Sequence, residues 1–387
     1  MEAVDASIVR LHTPRLAMAD SNTPRTPSLA SERSLSAARS LSLEEAMRLR
    51  ARANRQIRAF FDARDFLEVE TPNWVAAPGT DVHLDPVRAV YEDRHGDLSV
   101  SGYLHTSPEF AMKRLLVEGL ERIWQMCKVW RNGEVTPLHN PEFTLLEWYR
   151  AGEPVEAIID DVEALTRELL GDEAMVVTDD EERRVDLSAP FERMTMQQVV
   201  EGACGFDLLE ALDFDALYAA CEANDLLSPR SLARAGTHRQ WDELFFELQV
   251  TYIDPFLADR GAVFVTDWPT PLAVLARKKP ADPRVAERFE LYVGGVELAN
   301  GFGELTDPVE QHARFEHDLE TRRERGLPDM PMPERFLAAL ERGMPASSGV
   351  AVGVDRLLML ACGAADIREV VPFAMRRDAE SGDVEWG

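Results

Sequence analysis

The chain is poor in cysteine, in long apolar runs and in positive charge. Its four cysteines, Cys127, Cys204, Cys221 and Cys362, are scattered, with no C-x-x-C pair and no histidine at ligand spacing. That pattern excludes a disulfide framework and a thiolate zinc site, and it predicts reduced core cysteines. No stretch approaches the roughly 18 consecutive apolar residues of a membrane-spanning helix, and the N-terminus lacks the apolar core of a secretory signal. The expected location is the cytoplasm. A net charge of −27 disfavours a general nucleic-acid binder, because phosphate would meet a repulsive field outside any local basic groove.

What is present fits a sizeable fold. With 387 residues, 45% of them hydrophobic, the chain can build a large core. Residues 1–41, rich in Ser, Pro, Ala and Arg without periodicity, read as a disordered tail, with a mis-assigned start as the alternative. Order is expected from residue 42. Ser42 and Glu45 have capping-box spacing, and Leu43, Met47, Ala53, Ile57, Phe60 and Phe61 share one helical face. That helix leads into LEVET, a strand stopped by Pro72. SPEFAMKRLLVEGL reads as a helix, and RIWQMCKVWR and PEFTLLEWYR as two strands joined by a polar loop of about eight residues. Residues 155–250 read as a mostly helical, acidic insert. YVGGV marks a tight turn between two later strands, and SGVAVGVDRLLMLACG reads as a strand entering a helix. Clustered strands favour an α+β fold, an antiparallel sheet flanked by helices, over a doubly wound one.

Three separated stretches then fall in order: FLEVETP at 66–72, WRNGEVTPLHNPEF at 130–143 and GVAVGVDR at 349–356. Together they resemble motifs 1, 2 and 3 of class II aminoacyl-tRNA synthetases, which implies that family's catalytic domain over 42–387 and a homodimer through motif 1. TSPE at 106–109, HNPEFTLLEWY and the run from Glu290 to Glu304 are closest to lysyl-tRNA synthetase. About 42 low-complexity residues precede motif 1, too few for the anticodon-binding OB barrel of those enzymes. The pattern therefore resembles the elongation factor P lysine ligase family. Its members attach a lysine, usually (R)-β-lysine, to a lysine side chain of that translation factor.

The resemblance implies that ATP and a lysine carboxylate form an acyl-adenylate with release of pyrophosphate. Arg131 would hold the α-phosphate, with His139 and Asn140 assisting, Phe143 stacking on adenine and Arg356 covering the other face or the γ-phosphate. Gly353 would let backbone approach the nucleotide, and Leu298 would add a backbone contact. Glu290 and Glu297, seven apart across the turn, would bind Mg²⁺ together with ATP. Ser107, Pro108 and Glu109 would lie near the backbone amine of lysine, and Glu147, Tyr149, Asn300 and Glu304 around the rest of it. Ala351 stands where lysyl-tRNA synthetases have Gly, and its Cβ favours an amine moved from the α to the β carbon. One departure is Arg131-Asn132-Gly133-Glu134 in place of Arg-Asn-Glu, which leaves the adenine amino group to Glu134 or to backbone. Glu142 is expected to be a structural partner of neighbouring strands.

Bland readings stand beside these: surface ion pairs for the arginines, a core aromatic for Phe143, a turn residue for His139, and exposed strand-edge carboxylates for Glu290 and Glu297. Two other functions also stand, a truncated lysyl-tRNA synthetase that charges tRNA and a non-catalytic regulatory paralogue. Loss of the anticodon domain, Ala351 and the acidic surface favour the protein ligase, with tRNA a disfavoured partner. Retention of Arg131, Glu290, Glu297 and Arg356 argues against the paralogue.

Overall fold

A computed structural model of the chain describes residues 28–29, 41–96, 98–178, 181–234, 239–377 and 383–387. Helix α1 spans Leu43–Asp62 and begins with the expected capping box: the Ser42 hydroxyl accepts from Glu45 N, and Glu45 Oε2 accepts from Ser42 N at 2.9 Å. The expected strand after it is short. β1 covers Leu67–Glu68, and Val69 adds one more bond, to Trp124 O, before Pro72 ends the ladder.

The centre of the molecule is a nine-stranded sheet. Beyond β1 its elements, with the helices between them, are α2 (Glu109–Val117), β2 (Arg122–Trp130), β3 (Glu142–Ala151), α3 (Val155–Leu170), β4 (Glu192–Thr195), β5 (Ala262–Pro269), β6 (Asp282–Val293), β7 (Val296–Gly303), α4 (Pro308–Glu324), α5 (Glu334–Glu341), β8 (Ser347–Gly353) and α6 (Val354–Cys362). The order across the sheet is β1-β2-β3-β8-β7-β6-β5-β4, with the short strand Lys278–Lys279 paired to β6. Only the outer pairs β1/β2 and β5/β4 are parallel. The fold is α+β, a mostly antiparallel sheet flanked by helices. Among the described residues no helix is long and apolar enough to cross a membrane.

Period-two alternation divides the sheet's two faces. In β3, Leu146 and Trp148 point into a core with α1, α3 and α6, while Leu145, Glu147 and Tyr149 line a cavity on the other side. Phe61 of α1 stacks on Trp124 of β2 at 4.8 Å, and burying each such ring contributes roughly 1.5–3 kcal/mol. The β6–β7 turn is Gly294-Gly295, both at positive φ (57° and 85°), as a two-residue hairpin of this twist requires.

Three readings change. The segment 155–250 is rich in helix, but α3 belongs to the central core, β4 joins the main sheet, and Glu173–Val177 pairs with Glu182–Asp186. The loop between β2 and β3 runs over 131–141, and Arg131 lies one residue past β2, still bonded through its N to Pro141 O at 2.9 Å. Most of the 1–41 tail lies outside the described residues, while Leu29 within it is buried in the core.

Asp355, first turn of α6, ties three elements together. It bonds Arg50 of α1 and accepts from Thr144 N of β3 at 2.6 Å, and Arg50 also donates to Val370 O at 2.8 Å. Asp355→Ala leaves a cation and an amide without their buried partner, so a loss of about 3 kcal/mol is expected in denaturant unfolding. A change below about 0.5 kcal/mol, the ordinary range of surface substitutions, would contradict that role.

Candidate active site

One cavity of about 1250 Å³ lies on the sheet's polar face. β3, β8, β7 and β6 supply its floor, and α2, α4 and the loop 77–84 supply walls. At one end carboxylates gather. Glu147, 1% exposed, takes a 2.6 Å bond from Ser107 Oγ and a 3.0 Å bond from Tyr149 OH. Ser107 Oγ in turn accepts from Glu109 N at 3.0 Å, and Pro108 precedes the first residue of α2. Burial, and next the charge of Glu109, push the Glu147 carboxyl up to about 8, against the pull of Ser107, Tyr149 and Lys113. The Tyr149 hydroxyl is likewise held far above its ordinary value by burial and Glu147.

Strand register sets the pocket's shape. Ala351 of β8 pairs with Glu147 on one side and with Asn300 of β7 on the other, so the three share one face. Gly349 pairs with Tyr149, and a Cβ there would stand 2.3 Å from the tyrosine ring and 2.7 Å from Glu304 Oε1. Glycine is thus required for the aromatic wall to lie flat on β8. Asn300 Oδ1 is buried without a hydrogen-bond partner beside this wall, as are both amide atoms of Gln311 on α4. Such orphaned atoms are what a polar ligand would satisfy.

Lys113, absent from the sequence reading, is enclosed here. Its ammonium bonds Glu109 and lies 2.5 Å from Glu304 Oε2. The signal was present in the i,i+4 spacing of Glu109 and Lys113 on a helix.

At the other end the charge reverses. Arg356 donates through Nη1 to Glu297 O at 2.7 Å and through Nη2 to His139 Nε2 at 2.6 Å. Arginine can only donate, so Nε2 is the acceptor, the proton sits on Nδ1, and Nδ1 donates to Thr136 Oγ1 at 2.8 Å. Burial, then Arg356 and Arg131, lower His139 to about 4, which keeps it neutral. His139 therefore positions Arg356. Arg131 lies 5.0 Å over the Phe143 ring, and its Nε is buried without a partner.

Other expected nucleotide residues are placed differently. Asn140 uses both amide atoms on protein, donating to Glu142 O at 2.6 Å and accepting from Met375 N at 2.9 Å. Asn132, Gly133 and Glu134 do not line the cavity. Gly133 has φ 82°, so the departure from the family pattern supplies a left-handed turn. Glu134 beyond it is half-buried, its carboxyl raised by burial and lowered by Arg131 and Arg356. Leu298 is 2% exposed and shared between core and cavity wall. A Cβ on Gly353 would meet nothing nearer than Arg356 carbon at 3.7 Å, so the backbone there opens onto free space. Glu142 accepts from Trp130 Nε1 at 3.3 Å, the expected structural part.

Glu290 and Glu297 stand on neighbouring strands, with Glu290 opposite Asn300 and Glu297 opposite Tyr292. Glu290 accepts from Arg288 at 2.6 Å and Tyr292 OH at 2.5 Å, and burial, with Glu297 adding, raises its carboxyl. Arg288 and Tyr292 also escaped the sequence reading, although each lies two residues from Glu290 on the same strand face. Among the described residues no group of three or more His, Cys, Asp or Glu is placed to hold a metal. Two hard carboxylates on neighbouring strands, one of them 3.6 Å from Arg356, still fit Mg²⁺, which takes one or two such ligands and fills its shell with phosphate and water.

The empty pocket should titrate as a stability element. The fold favours protonated Glu147, so that contribution is full below the unfolded value of 4.5 and is lost as pH rises toward about 8. Thermal melts of ligand-free protein should decline over that window, and Glu147→Gln should flatten the decline. An unchanged slope in the variant would contradict the assignment.

Comparison with known proteins places this geometry. The family model for class II tRNA synthetases (D, K and N) matches residues 27–377. An elongation factor P–(R)-β-lysine ligase of Pseudoalteromonas translucida (strain TAC 125) is 40% identical over 323 residues, 84% of this chain and 93% of the relative. Ligases of the same name from Proteus mirabilis (strain HI4320), 41% identical over 330 residues, and Vibrio cholerae serotype O1, 40% over 331, each cover 85% of this chain and 94% of the relative. The chain belongs to the class II tRNA synthetases and, within them, to the elongation factor P–(R)-β-lysine ligase family.

Proposed function

We propose that the protein activates (R)-β-lysine with ATP and transfers it to a lysine side chain of elongation factor P in the cytoplasm. The observation that carries this reading is one cavity with two ends of opposite sign: Glu109, Glu147 and Glu304 at one, Arg131 and Arg356 at the other. A carboxylate pocket of that density suits a ligand with two ammonium groups, and the cationic end suits a triphosphate. The names of the relatives supply the acceptor and the β-isomer.

In the first step the lysine carboxylate attacks the α-phosphate and pyrophosphate leaves. Glu109, Glu147 and Glu304 hold the amines, so the carboxylate faces the nucleotide end as a positioned nucleophile. Arg131, whose buried Nε awaits a partner, meets the charge that moves onto the α-phosphate oxygens, and Arg356 is held in place for the nucleotide by neutral His139. Phe143 offers its ring to adenine. Glu290 and Glu297 would hold Mg²⁺, which when bound supplies charge neutralisation to the phosphates. In the second step the ε-amine of the acceptor lysine attacks the acyl carbon, the acyl–phosphate bond breaks, and AMP leaves with a new amide formed.

A homodimer is part of the proposal. Exposed Leu67 of motif 1, together with Trp74, Tyr91 and Val100 on one face of the small sheet formed by Trp74–Val75, Val87–Glu92 and Ser99–Leu104, offers apolar surface that a second copy would cover.

Incubation with ATP, Mg²⁺ and (R)-β-lysine, offering elongation factor P and lysine tRNA separately, should add one lysyl mass to the factor. Label on tRNA alone would establish the synthetase reading instead. Ala351, flanked by Glu147 and Asn300, crowds the α position, so Ala351→Gly should raise adenylation of α-lysine relative to β-lysine by about tenfold, near 1.4 kcal/mol. An unchanged ratio would remove the steric account.

A further inference from the structure

The amino-acid pocket holds one enclosed cation. Lys113 has no exposed side-chain surface, and its ammonium bonds Glu109 and stands 2.5 Å from Glu304. Burial is the largest single influence on it and opposes the charge, yet Glu109 and Glu304 together more than offset that and keep it charged. The remaining groups that face this cluster are Glu147 and Tyr149 of β3, the Phe336 ring of α5 at 6.0 Å, and Arg277, which acts on Glu304 and is itself paired with Glu287.

The charges count simply. Glu109, Glu147 and Glu304, when ionised, carry three negative charges, Lys113 cancels one, and two remain. We propose that Lys113 is a specificity-setting positioning residue: it stays charged beneath the substrate, orients Glu109 and Glu304, and sets the pocket to the charge of an amino acid with two ammonium groups. This rests on the reading that lysine or β-lysine is the substrate.

Without Lys113, the clustered carboxylates could not all stay ionised, and the buried Glu304, which loses its closest cation, would take up a proton. That proton turns an acceptor into a donor aimed at an arriving ammonium, so substrate would have to displace it. That defect has a pH signature which a packing defect lacks, since it fades as the pH rises and the carboxylates ionise unaided.

The test is β-lysine-dependent pyrophosphate exchange across neutral to alkaline pH for wild type, Lys113→Met and Lys113→Arg. Lys113→Met should raise the KM for β-lysine at least about tenfold at neutral pH with a much smaller change in kcat, and the deficit should shrink with rising pH. Lys113→Arg, which keeps the charge, should recover most of the loss. An unchanged KM, or a fall in kcat with a wild-type pH profile, overturns the proposal. Should Lys113→Met fail to fold, calorimetry on the wild type decides. Binding of β-lysine in buffers of different ionisation heat should release protons at neutral pH, because Glu147 ionises while Lys113 keeps its charge; no net release overturns it. Absence of exchange with either lysine isomer in the wild type would overturn the proposed function and this inference together, whereas normal wild-type exchange beside an unaffected variant overturns this inference alone.

Discussion

The structure depends on carboxylates buried on one face of a β-sheet. Glu147, Glu290 and Glu304 are each no more than 4% exposed, and a carboxylate taken out of water without compensation is costly enough to protonate instead. Each is compensated by a neighbour of defined geometry: Glu147 by Ser107 and Tyr149, Glu290 by Arg288 and Tyr292, Glu304 by Lys113. The compensation is incomplete, since all three carboxyls stay raised above their ordinary value. An arrangement left short of positive charge when empty is one prepared for cationic ligands.

Holding such a face in place requires a rigid back. The opposite face of the same strands packs Trp124, Trp148 and Leu146 against α1, α3 and α6, and strict alternation means that the core side chains fix where the acidic ones point. The Arg50–Asp355–Thr144 tie adds a polar lock between α1, α6 and β3. It joins α1, β3 and α6, so the first helix, the hairpin's second strand and the helix after β8 cannot shift independently.

Much of this was legible because local rules and global fold agree. The capping box, the β2–β3 hairpin and the Gly294-Gly295 turn, which puts Glu290 and Glu297 on neighbouring strands, follow from spacing alone. Other features were not legible, for identifiable reasons. The strands at 173–195 are short and flanked by acidic residues that read as helical. Lys113 looks like one more surface lysine until the fold brings Glu304, almost two hundred residues away, to the same point. Asn140 lines the cavity, but nothing local reveals that its amide oxygen also accepts from Met375 N. The left-handed turn at Gly133 was likewise not legible from the offset of Glu134 by one residue.

The two ends of the cavity solve opposite versions of one problem. At the acidic end, acceptors are held by donors that share them, and an arriving ammonium completes the set. At the basic end, Arg356 is held by a neutral imidazole and a backbone carbonyl, neither of which quenches its charge, and Arg131 lies over the face of an aromatic ring. A carboxylate partner for either arginine at full contact would have to be displaced by phosphate at a cost in binding. The carboxylate of Glu297 stays 3.6 Å from Arg356, short of full contact. Keeping the cations oriented but unneutralised, and the anions neutralised only in part, gives a site whose field is already arranged for charge moving from a carboxylate onto a phosphate.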